Sequence, residues 1–484
     1  MVSGEKYISL DGNITVKPGC PAEKFLFVHS DNFNIFSFAI FFVYNFVLKY
    51  YHTIKGVYDF MNLTWGGVDC LELAENFGTP LYVYDTGIIK SRCREIRESF
   101  IDRWPNTRAR YASKAFLTRS MARLIEREGL GLDVVSLGEL HTALSANFPP
   151  ERIEMNGNAK SHEEIALAVN SGVGRIIIDH PDELRTINHY AQKAGRVQKV
   201  LLRVAPGVDA HTHSSIATGQ TGSKFGFPAE GPMLLDAIRE GESLPNVDVR
   251  GLHFHVGSQI FDPSDHVTGL QKTIDLMRDL KRGIGFITHE LNLGGGFGAV
   301  INPAMKPVAL ADFTDPMMQT LHAKCAEYGL EIPRAIIEPG RWVVSEAGIT
   351  LYTVENIKEL PGVTYIAVNG GMADNPRYAL YQAEYHAVKV TDPDAPAYDR
   401  DGGTHVSVVG KCCESGDILI EDAKIAYLEA GDVIALYNTG AYTFSMSSRY
   451  NRLLRPAVVF VEDGKANVVV ERETLEDMLR GDLL

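Results

Sequence analysis

The stretch TRARYASKAFLTRSMARLIEREGLGLDVVS, Thr107 to Ser136, decides the fold. It opens on a strand-like run, turns at Ser113 and Lys114, continues with apolar residues at helical spacing, and returns at Gly131 to a second strand-like run. Strand, helix, strand in that rhythm is one βα unit of a parallel sheet. Working outward, the strand-like pieces are TRARYAS, GLDVVS, RIEMNGN, GRIIIDH, KVLLRVAPG, VRGLHFHVGS, HELNLGGG and RAIIEPG. These eight units over about 235 residues predict a (β/α)8 barrel, whose chemistry sits at the C-terminal ends of its strands. Those ends read Lys114, Asp133, Asn158, Asp179, Arg203, His255, Gly294 to Gly296, and Glu338. After Arg341 the pattern changes to short alternating runs, GITLYTVENI, HVSVVG, DVIALYN and PAVVFVEDG, which predict an all-β C-terminal domain.

The 484 residues carry a formal charge of −14, and nucleic-acid binding needs a basic footprint that such a chain lacks. A small-molecule partner is expected instead. Six cysteines (Cys20, Cys70, Cys93, Cys325, Cys412, Cys413) show no CxxC spacing and are too sparse for a disulfide framework, which fits a cytoplasmic protein. Glu5 and Asp11 precede any apolar run, unlike a signal peptide. One segment is atypical: Phe25 to Tyr51 holds eleven aromatics, and no charged side chain lies between Asp31 and Lys49. It is slightly short of the ~20 apolar residues of a membrane-spanning helix and includes three asparagines and a serine, so a membrane partner is not expected. An inserted core or interface segment and a stretch foreign to the ancestral chain are both open readings.

Five features carry candidate chemistry. Lys114, at a strand-to-helix turn among small and apolar residues, is either a solvated cap or a reactive amine whose pKa partial desolvation lowers. NLGGGFG, Asn292 to Gly298, frees the backbone N–H groups of Gly294, Gly295 and Gly296 to converge on a phosphate, or is simply a turn. EPGR, Glu338 to Arg341, puts a carboxylate at the last strand end, either salt-bridged to Arg341 or facing a pyridine nitrogen that it keeps protonated. His253 and His255 share one strand face. An HxH pair can bind metal, but barrel amidohydrolases carry theirs on the first strand, and this one is on the sixth. Stacking on a flat ring suits His255 better, a structural role suits His253, and no metal is expected. In the β domain, Cys413 beside Glu414 can donate a proton at a reaction centre, or the two adjacent cysteines are merely buried. Lysine, phosphate loop, ring-facing carboxylate and stacking histidine together make a site for pyridoxal 5'-phosphate.

The chain resembles the diaminopimelate decarboxylases, barrel-fold pyridoxal-phosphate decarboxylases. The motifs YASKAF, GLDVVSLGEL, NGNAK, THSSIATGQTGSKFG, GLHFHVGSQ, LNLGGGFG, EPGR, GMADNPRYALYQAEYH, CCESGD and GAYTFSMSSRYN follow the family order between about Gly67 and Asp463. The resemblance implies a TIM-like barrel with a C-terminal β domain, in the alanine racemase-like architecture, divided as N-terminal strands (1–19), an aromatic-rich insertion (20–66), a strand joining the β domain (67–85), the barrel (86–341) and the β domain (342–484). It implies decarboxylation of meso-diaminopimelate to L-lysine, with Lys114 bonded to the cofactor aldehyde, His255 on the ring and Glu338 at its nitrogen. Ser258 and Gly296 would hold the phosphate, with Gly294, Gly295, Pro339, Gly340, Arg341 and Tyr442 completing the cofactor site. Arg341, Arg377 and Tyr381 would grip the distal carboxylate, Glu414 the adjacent ammonium, and Tyr442 would face both ligands. Cys413 would be the proton donor, reaching the site from the second subunit of a homodimer. An ornithine- or arginine-type decarboxylase and an inactive binding homologue are the alternatives. Cys20 to Trp65 has no family counterpart, and Tyr378 and Leu454 stand where prolines are common.

Overall fold

A computed structural model describes residues 62–207, 223–300, 305–398 and 405–484. The expected N-terminal strands, the aromatic segment up to residue 61 and residues 212–222 of the THSSIATGQTGSKFG motif lie outside the described residues.

Each of the eight strand-like pieces is a strand: β1 Thr107–Ala112, β2 Gly131–Val134, β3 Ile153–Met155, β4 Arg175–Ile178, β5 Gln198–Ala205, β6 Val247–His253, β7 Glu290–Asn292 and β8 Arg334–Ile337. All pair in parallel with their sequence neighbours, and β8 returns to β1 through Ala335 opposite Thr107, which closes the barrel. Helices cover the outside, so strand residues such as Ile176, Ile177 and Ile178 are buried on both faces and read as continuous apolar runs. The helices begin where the sequence supplies caps. Thr118 accepts the N–H of Met121, Ser136 that of Glu139, and Ser161 forms a capping box with Glu164. Met121, Leu124 and Ile125 turn one face of helix Arg119–Arg127 onto the barrel, and burying each such side chain stabilises the fold by about 1.5–3 kcal/mol.

Inside the barrel, side chains two apart climb the same wall. Contacts between strands that are not neighbours identify this inward series. Low in the barrel, Arg110 (β1) bonds Glu154 (β3) at 3.1 Å, and Glu290 (β7) takes a bidentate bond from Arg175 (β4) at 2.7 and 2.5 Å. One step higher, Asn292 joins Glu154 to Glu338 at 2.9 and 2.8 Å. The next step up from Arg110 and Ala112 is Lys114.

The second sheet holds Leu81–Asp85 at its centre, antiparallel to β9 (Gly348–Leu360) and parallel to β15 (Ala457–Glu462). It continues through β10 (Val363–Val368), β12 (His405–Val409) and β13 (Ile418–Ile420) on one side and β16 (Lys465–Val470) on the other, while β14 (Val433–Leu436) pairs with β9 and β11 (Ala387–Lys389). The alternation after Arg341 marked β9, β12, β14 and β15; it did not mark β10, β11, β13 or β16. Residues 62–66, grouped with the atypical segment in the sequence, pack on this sheet: Leu63 N–H donates to Val390 and Trp65 Nε1 to Ala347. Among the described residues no helix is long and apolar enough to cross a membrane.

Candidate active site

At the C-terminal mouth of the barrel a cavity is lined by Ala112, Lys114, Asp133, His255, Ser258, Gly295, Gly296, Phe297, Glu338, Gly340, Arg341 and Tyr442. Lys114 sits in a short 3-10 turn directly after β1, its side chain open to solvent at the cavity. It makes no ion pair within 4.0 Å among the described residues. The expected lowering of its pKa is corrected here: desolvation does lower it, but Tyr442, Asp133 and Glu338 outweigh that and raise the amine above its ordinary value. Without cofactor the group is an ammonium.

Glu338 follows β8 and is the best-supported carboxylate in the site. Its Oε1 accepts from Asn292 (2.8 Å) and Asn156 (3.2 Å), and its Oε2 lies 3.1 Å from His253 Nε2. Burial by itself raises its pKa; His253, His255 and Lys114 reverse that and hold it at about 2. Glu338 therefore pairs with His253, not with Arg341. Asp133 receives one donor, Asn156 at 2.6 Å, and burial together with the charge of Glu338 pushes its carboxyl well above its ordinary value. Of the two neighbouring acids, Glu338 is the better supported, with three donors against one for Asp133. The side chain from β3 in this group is Asn156, two residues before the strand end read from sequence at Asn158.

His255 stands just past β6, its pKa driven well below the ordinary value by burial, Lys114 and Arg203. Its Nδ1 accepts the N–H of Gly295 at 3.2 Å, so the imidazole is neutral. The Gly-rich turn is built by close approach: a Cβ on Gly295 would lie 2.1 Å from the carbonyl O of Glu338, and one on Gly296 2.2 Å from that of Gly257. Gly296 also has φ +97°, a left-handed conformation that favours glycine. The N–H of Gly294 is bonded to Asn292 Oδ1 at 2.9 Å, as that of Gly295 is to His255, and what separates the glycines is position: Gly295 and Gly296 line the cavity and Gly294 does not. Pro339 contributes backbone, its carbonyl accepting the N–H of Ala112 at 3.1 Å. His266 supports the turn from behind, Nε2 at 3.0 Å from the Gly295 carbonyl and its ring stacked on Phe297.

The β domain closes the cavity with Tyr442, whose N–H donates to the carbonyl of Ala115, next to Lys114, at 2.8 Å. Tyr442 holds φ +62°, a conformation costing of order 1 kcal/mol or more for a side-chain-bearing residue, and such strain clusters at ligand sites. Two guanidiniums flank its ring, Arg341 at 4.6 Å and Arg377 at 5.4 Å, and Arg377 is also 5.2 Å from the ring of Tyr381. Neither is paired with a carboxylate among the described residues; Arg341 reaches only Ser258 Oγ, at 3.3 Å, and its Nε is buried without a partner. Burial and the neighbouring Arg377 lower Arg341 to about 10. Two cations side by side with no anion are a receptor for one.

Cys413 and Glu414 stand apart. They lie on an exposed loop, Cys413 N–H bonded to Asn451 Oδ1 at 2.7 Å, and do not line the cavity of their own chain. Cys412 is buried and burial with Asp417 pushes its thiol up to about 12, so of the adjacent pair only Cys413 is chemically available.

The cavity residues fit pyridoxal phosphate: an amine with no ion pair, an ionised carboxylate, a neutral imidazole and a turn whose backbone is bare of Cβ atoms. Asp133 was read at its strand end without a role, and Asn156 and Asn292 were missed as site residues. The inward two-residue step from Glu154 and from Glu290 would have found those two.

Residues 86–345 match the family profile of the pyridoxal-dependent decarboxylase pyridoxal-binding domain. Diaminopimelate decarboxylase of Bacillus subtilis (strain 168) is 45% identical over 426 residues, 87% of this chain and 95% of that one. Crystal structures similar to the chain include diaminopimelate decarboxylase of M. jannaschii in complex with L-lysine (TM-score 0.81, 34% identity, 88% of this chain and 96% of that one) and the Helicobacter pylori enzyme, also with L-lysine (TM-score 0.76, 30%, 85% and 98%). With this likeness running over the barrel, the cavity and the β domain alike, the chain belongs to the diaminopimelate decarboxylases, pyridoxal phosphate-dependent lyases.

Proposed function

We propose that the cavity removes CO2 from the D-configured end of meso-2,6-diaminopimelate and releases L-lysine, with Lys114, His255, Glu338 and Cys413 as catalytic groups. The observation that carries this reading is the Arg341 and Arg377 pair around Tyr442, two cations without a carboxylate, beside an amine that suits the cofactor. Ornithine and arginine have no second carboxylate to offer them, and an inactive homologue has no need of Lys114 and Glu338 in this state.

Pyridoxal phosphate, when bound, supplies an aldehyde for the substrate amine and a ring that takes up the electron pair left by CO2. The remaining work falls to side chains. Lys114 Nζ would be the amine that holds the cofactor aldehyde. Glu338, held low by its neighbours, would face the ring nitrogen and favour its protonated form, and His255 would offer the ring a flat face. Ser258, Gly295 and Gly296 would hold the phosphate. Arg341, Arg377 and Tyr381 bind the distal carboxylate, Glu414 the distal ammonium, and Cys413 Sγ delivers a proton to the reacting carbon. Because Cys413 and Glu414 do not line the cavity of their own chain, we assign them to the site of a second copy, in a homodimer with shared sites. A cytoplasmic location is part of the reading: Cys70, Cys93, Cys325, Cys412 and Cys413 are free thiols.

The test is CO2 release and lysine formation from meso-diaminopimelate set against CO2 from ornithine and arginine. Faster turnover of ornithine would overturn the substrate. Mixing Lys114→Ala and Cys413→Ala proteins tests the sharing, since a mixed dimer regains one intact site; no recovery sinks that part.

A further inference from the structure

Two loops of the β domain carry the substrate-facing groups, residues 369–381 with Arg377 and Tyr381, and residues 410–417 with Cys413 and Glu414. One buried side chain joins them. Asp417 Oδ2 accepts the N–H of Cys412 at 2.7 Å within its own loop, and Oδ1 accepts the N–H of Met372 at 2.6 Å in the other. A second bond, Lys411 N–H to the Gly370 carbonyl at 2.9 Å, runs alongside. The carboxylate fits because the backbone is bare on both sides: a Cβ on Gly371 would fall 2.5 Å, and one on Gly410 2.3 Å, from Asp417 Oδ2.

The connection from Met372 onward to Arg377 is stiff. Asp374 turns its carboxylate back onto the N–H of Gly371 at 3.0 Å and also bonds the Tyr352 hydroxyl, and the N–H groups of Asp374 and Asn375 both donate to the Gly371 carbonyl. On the other side Gly410 N–H closes the 410–417 loop onto the Asp417 carbonyl at 2.9 Å. An aspartate that merely capped its own loop would take both donors from it. This one splits its two oxygens between loops, through bonds of the short, charge-assisted kind.

We propose that Asp417 is a positioning residue for the decarboxylation, its carboxylate locking the distal-carboxylate grip and the proton-donor loop into one rigid unit. This rests on the roles assigned above to Arg377 and Cys413. An outer tether, the hydroxyl of Tyr378 on the carboxylate of Glu421, joins the same two regions at the surface. Tyr378 thereby holds the Arg377 turn through a side chain.

The experiment compares cofactor-loaded wild type with Asp417→Asn. The amide keeps one acceptor and turns an NH2 toward the other backbone donor, so one loop is released. The expected result is a KM for meso-diaminopimelate raised about tenfold and a kcat lowered about tenfold by a single substitution, while cofactor affinity and visible absorbance stay within twofold. Arg377→Ala alone is expected to move chiefly KM, and Cys413→Ala chiefly kcat; if those controls fail, the functional reading falls, whatever Asp417 does. Unchanged KM and kcat in a folded Asp417→Asn protein would overturn the proposal. Wild-type hydrogen exchange gives a second test independent of any variant. Peptides covering 370–381 and 410–421 are expected to open together, and independent opening would refute the lock.

Discussion

The two ends of the barrel carry similar charges and use them differently. At the bottom, Arg110 has Glu154, Arg175 has both oxygens of Glu290, and Arg334 shares Glu290 at 3.3 Å. At the top, Lys114, Arg341 and Arg377 have no carboxylate within 4.0 Å among the described residues. A buried charge is tolerated only when something neutralises it. Where the chain supplies the neutraliser the charges are framework; where it does not, water or a ligand takes that part, water at exposed Lys114 and half-buried Arg377, while Arg341 is buried.

That contrast can be broken by substitution, and the largest effect is expected at Lys114. Lys114→Ala should lower turnover by about 10⁴-fold or more and abolish cofactor absorbance. Retained absorbance or turnover in that variant would remove Lys114 from the site. Glu290→Ala is the mirror case: two arginines lose their partner, and denaturant unfolding should show a loss of about 3–5 kcal/mol with kcat changed less than about twofold. Its pH dependence sharpens the point. Against burial, which raises it, Arg175 holds the Glu290 carboxyl below 4.5, so its contribution is complete above that pH and is lost as the pH falls through the depressed value. The wild type should therefore lose stability in acid more steeply than the Glu290→Ala variant, and parallel acid curves would contradict the pairing. Arg377→Ala should raise KM by about 10²-fold, equivalent to about 3 kcal/mol, with cofactor absorbance intact. Unaltered KM would remove it from the grip. The smallest effect is expected for Tyr378→Phe, which removes one surface hydrogen bond and should change kcat/KM by about threefold or less; a larger change would make the outer tether a principal element.

Most of the barrel was legible because its signals are local. Strand, cap and helix recur within thirty residues, as in Thr107 to Ser136, and Ser161 with Glu164 announces a helix in four letters. The β domain was harder because its centre is assembled from afar: Leu81–Asp85 lies between β9 and β15, more than 260 and 370 residues away, and no periodicity encodes that pairing. At the site, residue types at strand ends gave Lys114, His255 and Glu338. Electrostatic state was not legible. Whether Lys114 titrates high or low depends on Tyr442 and Asp133 meeting it in space, and the partner of Glu338 turned out to be His253 because Arg341 leaves for Ser258 and Tyr442.

The neighbouring cysteines give the experimenter a handle. Cys70, Cys93, Cys325 and Cys412 are buried, and burial, joined at Cys412 by the charge of Asp417, pushes their thiols up to between about 11 and about 12, whereas Cys413 is exposed. Among the described thiols a maleimide dye therefore meets one target on the native molecule. Labelling speed becomes a direct gauge of how open the 410–417 loop is in solution.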